Sequence, residues 1–296
     1  MGLFFFSQTG NTRLVAQALH EEFRSRGALV GSWPLTYPED REALPTPRDV
    51  LENYDVVGVG TPVHYFNPVP VVMDWLRSLE VATRELDMRA TENRRFGFAF
   101  CTYGGLRYGS SLRDVGRALV RARVSVLGGF SVAAPGNFPG VDYPPGLSEQ
   151  PDADAKAGLV SFVCGLLSKH GRAVAGEAKG QKYASRQTLA KMGDASSGFF
   201  ERVGAAALGT SLARDLLPKV VLLPGKCHRC MKCVAACPTG NVHPEPEITV
   251  GDDCIKCYQC VAACPHGALE GGTSVVARAA GLVPKRNPSR YHHFFL

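Results

Sequence analysis

A chain of 296 residues, 45% of them hydrophobic, can bury a full core and is long enough for one larger and one smaller unit. Its formal net charge of +6 is modest and comes without a long Lys/Arg run, which argues against nucleic-acid binding. No transmembrane segment is expected: the most apolar stretch, from Phe199 to Leu223, is interrupted by Glu201, Arg202, Arg214, Asp215 and Lys219, which leaves a peripheral amphipathic helix open there.

The chain starts Met1-Gly2-Leu3-Phe4-Phe5-Phe6 and turns polar at Ser7-Gln8-Thr9, so the segment reads as a first core strand and not as a signal peptide. A helical face follows in Leu14, Val15, Ala18, Leu19 and Phe23, then strand-like runs at Ala28 to Trp33, Val56 to Gly60, Phe96 to Cys101 and Val124 to Val132. Five short buried strands separated by helices predict an α/β fold, a doubly wound five-stranded parallel sheet. Such sheets bind ligands at the carboxyl ends of their strands, where strand order reverses.

Three loops fall at those ends. Ser7-Gln8-Thr9-Gly10-Asn11-Thr12 is a hydroxyl-rich turn opening into a helix, where backbone N–H groups and the helix dipole suit a phosphate. It has neither the lysine-containing loop of nucleotide triphosphatases nor the three-glycine fingerprint of dinucleotide binding, so a monophosphate fits best. Gly60-Thr61-Pro62-Val63-His64-Tyr65-Phe66-Asn67 and Cys101-Thr102-Tyr103-Gly104-Gly105 combine aromatic faces with close-approach backbone, as a planar ring requires.

Together these loops resemble the three FMN-binding loops of the flavodoxin family, over about residues 1–180. The resemblance implies FMN, with Ser7, Gln8, Thr9, Gly10, Asn11 and Thr12 at the phosphate. It implies Thr61, Pro62, Val63, His64, Tyr65, Phe66 and Asn67 on one side of the ring, with Cys101, Thr102, Tyr103, Gly104 and Gly105 on the other. Packing of the loop alone is the plainer role for His64 and Tyr65, and a small buried hydrophobe is the plainer role for Cys101. The segment Pro135-Gly136-Asn137-Phe138-Pro139-Gly140 begins an extension that would cover part of the cofactor, and Cys164, in an apolar helical pattern, is expected in the core.

Eight of the ten cysteines lie between Cys227 and Cys264, in two copies of one spacing: Cys227-x2-Cys230-x2-Cys233-x3-Cys237-Pro238 and Cys254-x2-Cys257-x2-Cys260-x3-Cys264-Pro265. A secreted disulfide protein would not crowd cysteines this way; the pattern suits a metal centre assembled in a reducing, cytoplasmic compartment. In such a run the fourth cysteine ligates the other cluster. One [4Fe-4S] cluster is therefore assigned Cys227, Cys230, Cys233 and Cys264, and the second Cys254, Cys257, Cys260 and Cys237. Zinc in two four-cysteine sites is the alternative, and it generally uses paired C-x2-C knuckles. His228, His243 and His266 are expected near the clusters or at the surface, not as ligands. Residues 219–272 resemble a bacterial two-[4Fe-4S] ferredoxin, a smaller α+β domain. Such carriers are often acidic, so the basic balance here hints at partners with an acidic face.

The boundaries follow: 1–180 flavodoxin-like, 181–218 a helical connector, 219–272 ferredoxin-like, and 273–296 a tail whose aromatic end could dock on the first domain or a second subunit. The order is similar to the family of flavodoxin-ferredoxin fusion proteins, which implies electron transfer between FMN and the clusters, with ferredoxin or another oxidoreductase as redox partner and homo-oligomerisation left open. Two competitors stand beside it. One is an FMN-dependent reductase of a small molecule such as a quinone, an enoyl compound or an aromatic ring, with His64, Tyr65, Tyr103 and Tyr108 as candidate proton donors. The other is a redox sensor, which would need an output segment not visible here.

Overall fold

The protein is described by a computed structural model covering residues 1–86, 95–105, 107–138, 143, 147, 151–175, 189, 191–192, 218–271 and 292–296. Its first five long strands are β1 (Gly2–Phe5), β2 (Gly31–Pro34), β3 (Val56–His64), β5 (Arg95–Tyr103) and β6 (Val124–Ala133), with β4 (Asn67–Pro68) a two-residue hairpin partner of β3. The five pair in parallel in the order β2-β1-β3-β5-β6. Counted along the chain this is 2-1-3-4-5, the flavodoxin-like doubly wound order, with its switch point between β1 and β3.

Both faces of this sheet are covered, which is why its strands read as continuous apolar runs rather than alternating ones. Phe4 and Phe6 project into one core with Val57, Val59, Leu76 and Leu112, while Leu3 and Phe5 project into the other with Leu19, Phe98, Phe100 and Phe162, the period-two alternation of a strand. The first core is closed by α3 (Pro47–Asn53), α4 (Pro70–Glu85) and α5 (Ser111–Arg121); the second by α1 (Asn11–Ser25) and α6 (Ala153–Val174). A short α2 (Pro38–Glu42) precedes α3. On α1 the buried residues are Thr12, Val15, Ala16, Leu19 and Phe23, whereas Leu14, expected on the buried face, is 44% exposed. The buried stripe is rotated toward Thr12 and Ala16.

The cluster-type module is small. Antiparallel pairs β7 (Val220–Leu222) with β10 (Leu269–Gly271) and β8 (Val242–His243) with β9 (Thr249–Val250) frame two single-turn helices, α7 (Lys232–Ala235) and α8 (Gln259–Ala262). Its core is Cys233, Val242, Ile248, Cys260 and Leu269, so cysteines take the place of larger hydrophobes. Val220–Leu222 being a strand, an amphipathic helix does not extend to Leu223. Apart from residues 189, 191–192 and 218, the connector expected at 181–218 lies outside the described residues, as does the tail at 273–291.

The end of the chain adds a strand the sequence did not announce. β11 (His293–Phe295) pairs antiparallel with β6 at the sheet edge, Phe294 opposite Phe130. The two rings stack at 5.3 Å, and Gly158 of α6 leaves the room that Phe294 fills, since a Cβ there would collide with its ring. Cys164, expected in the core, is instead exposed on α6, where the Arg26 guanidinium donates to its sulfur at 3.2 Å. No helix among the described residues is long and apolar enough to cross a membrane.

Phe294→Ala should destabilise the first domain by about 2 kcal/mol, less than a fully buried Phe→Ala because the ring is half-buried. Urea unfolding reads this as a lower midpoint at unchanged slope. An unchanged midpoint would mean that the terminal strand does not hold the sheet edge.

Candidate functional site

The carboxyl ends of β1, β3, β5 and β6 open on one solvent-connected crevice of about 90 Å³. Its wall is formed by Gln8, Thr9 and Asn11 after β1, by Pro62, Val63, His64 and Tyr65 at the end of β3, and by Thr102, Tyr103 and Gly104 at the end of β5. Three loops distant in sequence therefore meet at the switch point, where such sheets take ligands. β3 and β5 run farther than the sequence suggests, so Thr61–His64 and Cys101–Tyr103 are strand residues before they are loop residues.

The first loop presents donors. Gly10, at φ +92, turns the chain into α1. The Ser7 hydroxyl accepts from the Arg13 N–H at 3.0 Å, and the Thr12 and Thr102 hydroxyls share a buried hydrogen bond of 2.8 Å. Among the described residues, the backbone N–H groups of Gln8 through Thr12 have no hydrogen-bond partner, and no acidic residue stands in the first turn of α1. Unpaired amides at the positive end of a helix make a cradle for an anion.

The inner wall of the crevice carries a second unfilled demand. Gln8 Nε2 and His64 Nε2 lie 2.7 Å apart, while Gln8 Oε1 and His64 Nδ1 are buried without a partner. Buried polar atoms are normally satisfied, so this pair fits a planar ligand with polar groups at its edge. Part of the His64 surface faces the crevice, but Nδ1 is fully covered, and burial lowers the imidazole to about 4. His64 is neutral at pH 7.

The other residues anticipated here do different things. Thr61 is buried, its hydroxyl donating to the Pro62 carbonyl at 2.9 Å and accepting from the Val69 N–H at 3.1 Å. Phe66, with φ +67, accepts from the Ser110 N–H, and Asn67 donates to the Tyr65 carbonyl, so both shape the loop. Cys101 is fully buried in the core, and Gly105 turns the chain at φ +75. Tyr103 lines the crevice, but Tyr108 packs behind it, edge-on to Tyr103 at 5.6 Å.

The crevice has further walls beyond the three loops, one of them from the extension that starts at Pro135. Ala134 through Phe138 close one side, and Tyr143 lies across Gly104 and Gly136, either of which would clash with its ring if it bore a Cβ. Lys256 and Cys257, from the second cysteine run, complete the enclosure. They are held there by the Tyr65 hydroxyl, which donates to the Lys256 carbonyl at 2.6 Å, by Phe138 set edge-on to both Tyr65 and Tyr258, and by Asn137, which donates to Gln259 at 2.9 Å. Arg41 adds a bond to the Pro238 carbonyl. Burial drives the Tyr65 phenol far up, so its proton stays in that bond. No spacing rule joins residue 65 to residue 256.

The eight cysteines fall in two neighbourhoods that adjoin each other. Cys227, Cys230, Cys233 and Cys264 line one small cavity, capped by His228 and His266, whose rings lie 4.2 Å apart. Cys237 and Cys254 each lie close enough to Cys257 and Cys260 to interact with them electrostatically. Burial pushes the Cys257 and Cys260 thiols up to about 12, so without iron they stay protonated at neutral pH; ligation is what would ionise them. Among the described residues no three His, Cys, Asp or Glu side chains converge on a point where one ion could be shared. A cubane binds one thiolate at each iron, so four cysteines lining one hollow suit it. Backbone N–H groups already donate to sulfur, Asn241 to Cys237 at 3.2 Å, Lys256 to Cys254 at 3.4 Å and Ala268 to Cys264 at 3.2 Å. His228, His243 and His266 are exposed.

The buried imidazole has a pH signature. Between pH 6.5 and about 4 the unfolded chain protonates His64 while the folded chain does not, so stability falls as pH drops through that window and is lost in full below about 4. The loss should reach at most about 3 kcal/mol in ligand-free protein. Urea midpoints of the wild type should decline more steeply from pH 6.5 to 4.5 than those of His64→Gln; parallel declines would contradict a buried neutral ring.

The family described as "4Fe-4S dicluster domain" matches residues 219–271. No curated protein matches the chain. Among solved structures, rubredoxin oxygen:oxidoreductase from Desulfovibrio gigas is 17% identical over 59% of this chain, with a TM-score of 0.43; the chain spans only 36% of that protein. A flavodoxin from the domain Archaea is 14% identical, covering 58% of this chain and 99% of its own, at a TM-score of 0.41. Flavodoxin 2 from Bacillus cereus is 12% identical, covering 57% and 98%, at 0.40. At these scores strand order, and not likeness, carries the fold assignment. The chain joins a flavodoxin-like domain to a 4Fe-4S dicluster domain.

Proposed function

We propose that this protein is an electron relay that holds FMN in the switch-point crevice and two [4Fe-4S] clusters in its C-terminal domain, and passes electrons between them and a redox partner such as a ferredoxin or another oxidoreductase. The observation that carries the reading is that Cys257, a ligand of the second proposed cluster, lines the same crevice as the three flavin-type loops. Bound FMN would supply a centre that takes up two electrons and gives them out singly, and each fully ligated cluster one that stores a single electron without an open iron site.

The chain's own residues have plain tasks in this scheme. The amides of Gln8 to Thr12 hold the phosphate, with the Ser7 hydroxyl fixing the start of α1. Gln8 and His64 offer their unpaired atoms to the polar edge of the ring. Tyr143, Phe138 and the Lys256–Cys257 backbone cover the crevice and exclude water.

That cover favours relay over reduction of a bound small molecule. Of the four proton-donor candidates, Tyr65 spends its proton on Lys256, Tyr108 lies behind the wall, and His64 is neutral with Nε2 engaged by Gln8. Tyr103 lines the crevice beside Gly104.

Protein purified without air should contain about eight iron, about eight sulfide and about one FMN per chain. Cys230→Ala should lose the Cys227 cluster and unsettle the other half of the module, because each depends on the other's fourth cysteine, while FMN stays within about twofold of the wild-type content. Loss of FMN from that variant, or zinc in place of iron, would overturn the two-module relay.

A further inference from the structure

The internal repeat supplies its own control. Aligned on their cysteines, the two runs set Lys226 against Asp253, His228 against Ile255, Arg229 against Lys256, Met231 against Tyr258, and Lys232 against Gln259. The backbones agree: Arg229 and Lys256 have φ +50 and +54, Met231 and Tyr258 have φ +60 and +54. The surroundings do not. Ile255, Lys256 and Tyr258 are 6%, 8% and 1% exposed because that loop is pressed onto the crevice, whereas Lys226, His228, Arg229, Cys230 and Lys232 are all exposed.

Where the docked loop offers an apolar face, the free one offers cations. Its stretch from Lys226 to Lys232 holds three formal positive charges and no acid. Arg229 is shared with Glu245 at 3.2 Å, but Lys226 and Lys232 make no ion pair among the described residues. Arg229 lines the cavity of Cys227, Cys230, Cys233 and Cys264, Lys226 and Lys232 flank its cysteines along the chain, and Cys230 itself is at the surface. Asp252 and Asp253, the matching acids, stand on the other loop.

We infer that the free cysteine loop is the external electron port of the chain and that it docks a small redox protein whose own centre lies beneath an acidic face. The inference rests on the relay proposed above and adds which cluster meets the partner and what charge the partner carries. A solvated loop with no partner would not need its cations gathered around an exposed ligand. Opposed charge fields speed encounter and orient it, and salt screens both effects.

The test uses the full chain with both clusters and FMN, and as probe a reduced, acidic bacterial two-[4Fe-4S] ferredoxin. Stopped-flow reduction of the clusters should slow by at least about tenfold between about 0.05 M and about 0.5 M salt. The double variant Lys226→Glu, Lys232→Glu should show a similar loss at low salt, and dithionite should bleach the clusters of both proteins equally. A rate that ignores salt or rises with it, an unaffected variant, or no transfer from the ferredoxin despite normal bleaching overturns the docking surface. Failure of dithionite to bleach any cluster would overturn the relay itself, and the inference with it.

Discussion

The arrangement depends on one contact: the loop between Cys254 and Cys260 pressed against the ends of β3 and β6. Its strongest single bond runs from the Tyr65 hydroxyl to the Lys256 carbonyl, at 2.6 Å, inside a patch where Phe138 packs edge-on against Tyr65 and Tyr258. A buried hydroxyl satisfied by a main-chain carbonyl fixes direction as well as distance, because an orphaned phenol there would cost about 1–3 kcal/mol. Tyr258 repeats the device, donating to the Pro218 carbonyl at 2.8 Å and tying the loop to the entry of its own domain. With the loop so held, a cysteine of the iron–sulfur domain becomes a wall of the flavodoxin-like crevice.

The same constraint explains why two copies of one motif diverged in character. Both need the left-handed residues that carry the chain between thiolates, and both keep the short helix that carries the third cysteine. The copy facing the crevice is bound by packing, so it carries Ile255 and Tyr258; the copy facing solvent carries His228, Met231 and Lys232.

Much of this was legible in the residues alone, for local reasons. Buried parallel strands announce themselves as apolar runs, the Ser7–Thr12 turn announces a helix N-terminus, and cysteine spacing is fixed by the cluster it must wrap. What escaped depends on chain ends and long-range pairing. Phe294 completes the sheet edge against Phe130 although 164 positions separate them, and Lys256 closes a crevice whose other walls begin at residue 8. Leu14 and Cys164 misled because an apolar residue on a helix says which faces are apolar, and not how far the helix is rotated on its sheet. Lys256 carried no signal of its own: its role follows from a neighbour's spacing and a fold that only the whole chain specifies.

The central claim is that the crevice and the Cys254–Cys260 loop form one conduit within a single chain. The direct measurement is flash reduction of the flavin in anaerobic, fully loaded protein, with bleaching of the clusters followed in time at several protein concentrations. The account predicts a first-order rate that does not change with concentration. A rate proportional to concentration, or flavin that stays reduced while the clusters remain oxidised, would contradict it.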